Sequence, residues 1–275
     1  MIIWLASYPK SGNTFVRTLL SAYFFSNDGF FDFKYLKSIK QFPSKKLFVK
    51  IGITSNNENE ILKNYIPAQE YINKKAPLIL LKTHSSLFDI DETKFTNLDN
   101  SLGVIYVVRD PRNIVTSFSN HFNLSLNDSA GRMISDTVLG ESTDKKIITY
   151  ILSWKKHYES WKLFEKEQKY LLVKYEDLIK NPKEILIKML TFIFKMSNNN
   201  SNIDLRKVDN VISSTAFEKL KKMEKNYGFV EKPKNMKSNF FKLGNKNKWQ
   251  NILDKDIEKI ITNEFIKEMR ELEYI

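Results

Sequence analysis

The chain has 275 residues, 42% of them hydrophobic, with 20 Phe and 12 Tyr, which is enough for one sizeable core. It has no cysteine and only three scattered histidines, so disulfides, thiolate metal sites and cysteine nucleophiles are excluded and a zinc centre is disfavoured; no metal is expected. A net charge of +12 predicts attraction to anions without saying which kind.

No stretch of 18 apolar residues and no basic leader is present, so a cytoplasmic protein without a stable membrane anchor is expected. No Pro-rich or Gly/Ser-rich linker divides the chain, and the SNNNSN patch at 197–202 is only loop-sized. One domain spanning 1–275 is the expectation.

The first element is a buried strand over Ile2–Ala6, followed by the turn YPKSGNT and a helix with Val16, Leu19, Leu20, Tyr23 and Phe24 on one face. A helix starting near Asn13 or Thr14 aims unpaired N–H groups at the turn, which makes it an anion site. The turn is not the usual nucleotide loop, because Lys10 precedes the single Gly12 instead of following a glycine pair. An ordinary βα turn with a solvated lysine also fits this stretch on its own.

The segment from 28 to 75 is rich in Phe, Tyr and Lys and is a candidate lining for an acceptor. Next comes a strand ending in Lys82-Thr83-His84, after the apolar run Leu78–Leu81. A histidine at a strand's carboxyl end can act as a proton acceptor, and a lysine beside it keeps the imidazole neutral and basic. A third buried run, Val104–Val108, breaks at Arg109-Asp110-Pro111 and passes into a helix carrying Ser117 one turn in. Ligands of open α/β sheets bind outside such strand ends, and a guanidinium there can pair with phosphate. An Arg109–Asp110 or Arg112–Asp110 pair that merely caps the turn is the competing reading. Residues 122–146 are a second candidate acceptor lining, either a lid or a plain surface excursion. Lys145–Lys166 has helical periodicity through Ile148, Ile151, Leu152, Trp154, Tyr158 and Trp161, and Asp254–Leu272 reads as an amphipathic closing helix.

Taken together, YPKSGNTF, KTH and IYVVRDPRNIVTS resemble, in order and spacing, the sulfotransferases that use 3′-phosphoadenosine 5′-phosphosulfate (PAPS) and release 3′-phosphoadenosine 5′-phosphate (PAP). Three later echoes, LLVKYEDL, STAFEKLKKME and FFKLGNKNKWQN, extend the resemblance over nearly the whole chain. It implies an α/β fold: a single P-loop-like domain with a central parallel β-sheet flanked by helices.

The resemblance also implies roles. Lys10, Ser11, Gly12, Asn13 and Thr14 hold the 5′-phosphosulfate, with Lys10 neutralising the leaving oxygen. Arg109 and Ser117 hold the 3′-phosphate. Phe15, Tyr175, Thr215 and Phe217 surround adenine, and closure over the 3′-phosphate falls to Lys242 and Gly244 in the degenerate last motif. His84 is the general base and Lys82 steadies the sulfuryl group. Asn13 stands where a threonine is common, and its amide is expected to preserve the phosphate contact; Phe15 stands for a frequent tryptophan. The implied partner is a small-molecule, lipid or carbohydrate acceptor rather than nucleic acid, and oligomeric state is left open. Two other classes remain: a P-loop-type kinase, and a non-catalytic binder of anions or nucleic acid.

Overall fold

The computed structural model describes residues 1–90, 93–229, 231–232, 239–241 and 247–275. Its strands, in chain order, are β1 (Ile2–Ser7), β2 (Lys40–Gln41), β3 (Ile79–Thr83), β4 (Asp89–Ile90), β5 (Thr93–Lys94), β6 (Ser101–Val108), β7 (Val138–Leu139), β8 (Thr149–Tyr150) and β9 (Tyr170–Lys174). Five of them form one sheet in the order β2-β3-β1-β6-β9, every pair parallel. β4 with β5 and β7 with β8 make two small antiparallel pairs outside it.

β1 lies at the centre because both its faces are apolar. Ile2, Trp4 and Ala6 enter one core, Ile3 and Leu5 the other, and all five are fully buried. The neighbouring β6 repeats the pattern, with Val104, Tyr106 and Val108 on the first face and Ile105 and Val107 on the second.

The helices are α1 (Asn13–Phe25), α2 (Lys45–Lys50), α3 (Glu58–Lys63), α4 (Tyr65–Asn73), α5 (Pro111–Phe122), α6 (Leu126–Ile134), α7 (Trp154–Trp161), α8 (Tyr175–Lys180), α9 (Pro182–Met196), α10 (Leu205–Ser214), α11 (Phe217–Tyr227), α12 (Lys255–Glu264) and α13 (Ile266–Glu271). α1, α9 and α10 cover one face of the sheet, while α5, α7 and α12 cover the other. This is the α/β architecture expected, and the parallel pairing sends β1, β3 and β6 to the same rim.

Two helices differ from expectation. Lys145–Lys166 is not one helix: Thr149 and Tyr150 pair with β7, Leu152 takes a left-handed φ of 55°, and Ser153 then caps α7 by accepting from Lys156 N. The apolar spacing through Ile148 and Ile151 reflects burial of an extended segment. The closing helix is in two pieces, because Phe265, with φ −111° and ψ 22°, interrupts it between α12 and α13.

Candidate active site

The turn after β1 is shaped by two left-handed residues, Lys10 at φ 70° and Gly12 at φ 105°. A Cβ on Gly12 would lie 2.4 Å from the Tyr175 ring, so the glycine answers both the backbone conformation and the close approach of α8. α1 starts at Asn13 with no side-chain cap; Phe15 N donates to Gly12 O at 2.9 Å, which leaves the N–H groups of Asn13 and Thr14 for the turn. Asn13 departs from the sequence reading. Its amide is buried and donates to Leu5 O at 2.9 Å and Ser7 Oγ at 3.2 Å, so the side chain ties the helix to β1 and its backbone N–H is what faces the turn. Ser11 is fully buried with an unpartnered Oγ.

α5 begins at Pro111 because Asp110 caps it, accepting from Arg112 N at 2.9 Å, with proline at the first helical position. The same carboxylate pairs with Arg112, whose guanidinium lies 4.1 Å from the Trp249 ring centre. Arg112 is therefore the structural partner of Asp110, and Arg109 is free of it. Arg109 Nη1 donates to Lys10 O and to Ser117 Oγ, both at 3.2 Å, its guanidinium lies 4.4 Å from the Tyr175 ring centre, and its buried Nε has no partner.

The parallel register pairs Leu5 with Lys82 and Ala6 with Thr83, which sets His84 beside Ser7. His84 Nδ1 lies 2.9 Å from Ser7 O. A carbonyl can only accept, so Nδ1 carries the proton and Nε2 keeps the lone pair. Burial, and then the charge of Lys82, hold the His84 pKa well below its ordinary value, so the ring is neutral.

These turns enclose a cavity of about 610 Å³. Lys10, Lys82, Arg109, His84, Thr14 and Ser117 line its polar part; Phe15, Ile179, Ile212, Phe217 and Leu220 line its apolar part, beside Tyr175 and Thr215. Glu231 is the only carboxylate among the described residues of the wall. Burial, followed by the charges of Arg109 and Lys82, brings Lys10 down to about 7, and burial brings Lys82 to about 8. A dianion entering here would relieve that charge crowding. Three cations against one carboxylate, with Arg109 Nε unsatisfied, fit a phosphate-bearing ligand whose aromatic part rests on the apolar wall. Lys242 and Gly244 lie outside the described residues.

A family model for the sulfotransferase domain matches residues 2–273. The chain belongs to that family. Rat sulfotransferase 1A1 is 29% identical over 143 residues, 52% of this chain and 45% of its own length, so the chain spans about half of that relative. Mouse sulfotransferase SULT7A1 complexed with PAP has 17% identity, a TM-score of 0.58, and coverage of 98% of this chain and 84% of its own. Retinol dehydratase in complex with retinol and PAP has 16% identity, a TM-score of 0.61, and coverage of 98% and 81%. At these identities the two structures establish a common fold.

The sulfotransferase motifs thus converge, and three further residues join them that the sequence reading did not single out. His121 Nδ1 is 3.3 Å from Lys10 Nζ; burial, then Lys10 and Lys82, hold its pKa at about 4. It stands four residues after Ser117 on α5, a helical spacing that puts both on one face. Asn247 Nδ2 donates to Ser117 Oγ at 3.2 Å, and Glu231 pairs with Arg17 at 2.5 Å while accepting from Thr14 Oγ1 at 3.3 Å. No local pattern marks Glu231, whereas Asn247 lies within the last motif, FFKLGNKNKWQN. Of the candidate acceptor segment 122–146, only Phe122 and Leu139 reach the cavity among its described lining. Among the described residues no helix is long and apolar enough to cross a membrane.

Proposed function

We propose that the whole chain, as one domain in the cytoplasm, transfers a sulfuryl group from PAPS to an acceptor hydroxyl or amine. The observation that carries this is the 2.9 Å contact of His84 Nδ1 with Ser7 O, which favours the tautomer with a free Nε2 lone pair, on the wall of a cavity that also presents Lys10, Lys82 and Arg109. PAP in the solved relatives supports the choice of ligand.

When bound, PAPS supplies a sulfuryl group already attached to a phosphate leaving group. The first-turn N–H groups of α1, with Thr14, hold the 5′ end. Arg109 and Ser117 hold the 3′-phosphate, and Phe15, Phe217 and Tyr175 flank the base. His84 takes the acceptor's proton at Nε2 as the acceptor oxygen or nitrogen bonds to sulfur. The sulfur–oxygen bond to phosphate breaks with its electron pair kept on the phosphate, where Lys10 neutralises the growing charge and Lys82 steadies the group in flight. The kinase alternative has no support from the turn, in which Lys10 precedes Gly12 and is itself part of the left-handed bend.

The test is PAPS turnover against a mixed panel of phenols, sugars and hydroxy acids. Replacing His84 by Ala should lower kcat roughly 10²- to 10⁴-fold, with PAP affinity within about threefold of the parent. Undiminished kcat in that variant would remove His84 as the base.

A further inference from the structure

A second cavity, of about 390 Å³, adjoins the first, and the two share Lys82 and Glu231 as common wall. We propose that this cavity receives the acceptor and selects a small hydroxylated molecule that carries a carboxylate or phosphate. The proposal rests on the sulfuryl-transfer reading and adds the class of acceptor.

Five cations from separate elements face this cavity: Arg17 on α1, Lys37 on the 3₁₀ turn Phe33–Ser38, Lys40 on β2, Lys46 on α2 and Lys82 on β3. Glu231 is the sole carboxylate among its described lining, and its two oxygens are already taken by Arg17 and Thr14. Lys37, Lys40, Lys46 and Lys82 make no ion pair among the described residues. A single unpaired lysine is ordinary on so basic a chain. Several around one concavity, with a single carboxylate among its described lining, make a positive funnel that an anion would fill.

The interior of the funnel is not simply charged. Leu36 and Ile39 are buried in it, with Phe33 and Phe229 beside them. An apolar floor under a cationic rim suits a ring or short carbon body below and an anionic group above. Lys82, at the junction with the first cavity, is where the acceptor's hydroxyl meets the sulfuryl position. Lys37, Lys40 and Lys46 line this cavity and not the first, with which it shares Lys82.

The experiment is calorimetric titration of the PAP-saturated full chain with matched pairs: 4-hydroxyphenylacetate against 4-hydroxyphenylacetamide, and glucose 6-phosphate against glucose. It is repeated on a Lys37→Ala, Lys40→Ala, Lys46→Ala triple variant. All three lysines are exposed, so the fold should survive. Expected is a preference of about tenfold or more for the charged member of at least one pair, which also tells carboxylate from phosphate. The triple variant should lose most of that preference with PAP affinity unchanged, and added salt should erode it. Equal binding of charged and neutral members, no binding of any, or a preference that survives the triple variant overturns the anionic acceptor while PAP binding stands. Failure of the parent chain to bind PAP would bring down the sulfuryl-transfer reading, and this proposal with it.

Discussion

The cations of the two cavities are held in opposite ways. In the first, Arg109 is pinned by Lys10 O, Ser117 and the Tyr175 ring, and Lys10 by His121 and the Phe240 ring, 4.7 Å from its Nζ. In the second, Lys37, Lys40 and Lys46 stand exposed on a rim of short elements. Pinned cations have already lost their rotamer freedom and can bind a fixed ligand tightly; loose ones cost entropy to order but tolerate variety. On the proposed reading, the pinned cations would keep a common co-substrate while a few surface lysines select the acceptor.

The sharpest break of that contrast is Arg109→Ala. It removes charge-assisted bonds to a phosphate and uncouples Lys10 O from Ser117, so PAP affinity should fall by about 30- to 100-fold with little change in ADP affinity. Equilibrium titration with both nucleotides checks it, and an equal loss for ADP would mean that Arg109 merely braces the turn.

A smaller effect comes from pH. The free protein holds Lys10 at about 7, chiefly by burial, and a bound anion must raise that value by favouring the ammonium. Between the two pKa values binding takes up a proton, so affinity should fall as pH rises above 7. A one-unit rise in the complex would cost about tenfold between pH 6 and pH 9. PAP titrations in two buffers of different ionisation enthalpy measure the proton uptake; none at pH 8 would show that Lys10 does not couple to the ligand.

The sequence revealed most of the pinned side and little of the loose one. Strand, turn and helix are local patterns, so the β1, β3 and β6 rims could be read from the apolar runs and the residues that end them. That the Asn13 amide serves β1 is not legible in the sequence, because the contact depends on how tightly α1 meets the strand. Glu231 reaches the site from far along the chain, through Arg17 and Thr14, and nothing near it announces it, whereas Asn247 reaches Ser117 from within the last motif, FFKLGNKNKWQN, in which Lys242 and Gly244 were the expected contacts. The region 28–75 carries short elements whose lysines look like ordinary surface until the fold gathers Lys37, Lys40 and Lys46 around one hollow.

The first cavity is proposed as a site built for a nucleotide with a 3′-phosphate. Calorimetric titration of the purified chain with PAP beside AMP tests it most directly, because the two ligands differ only in the 3′-phosphate that Arg109 and Ser117 are proposed to hold. PAP binding at least about 30-fold tighter than AMP is the predicted result. Equal affinity for the two, or binding of neither, would contradict the account.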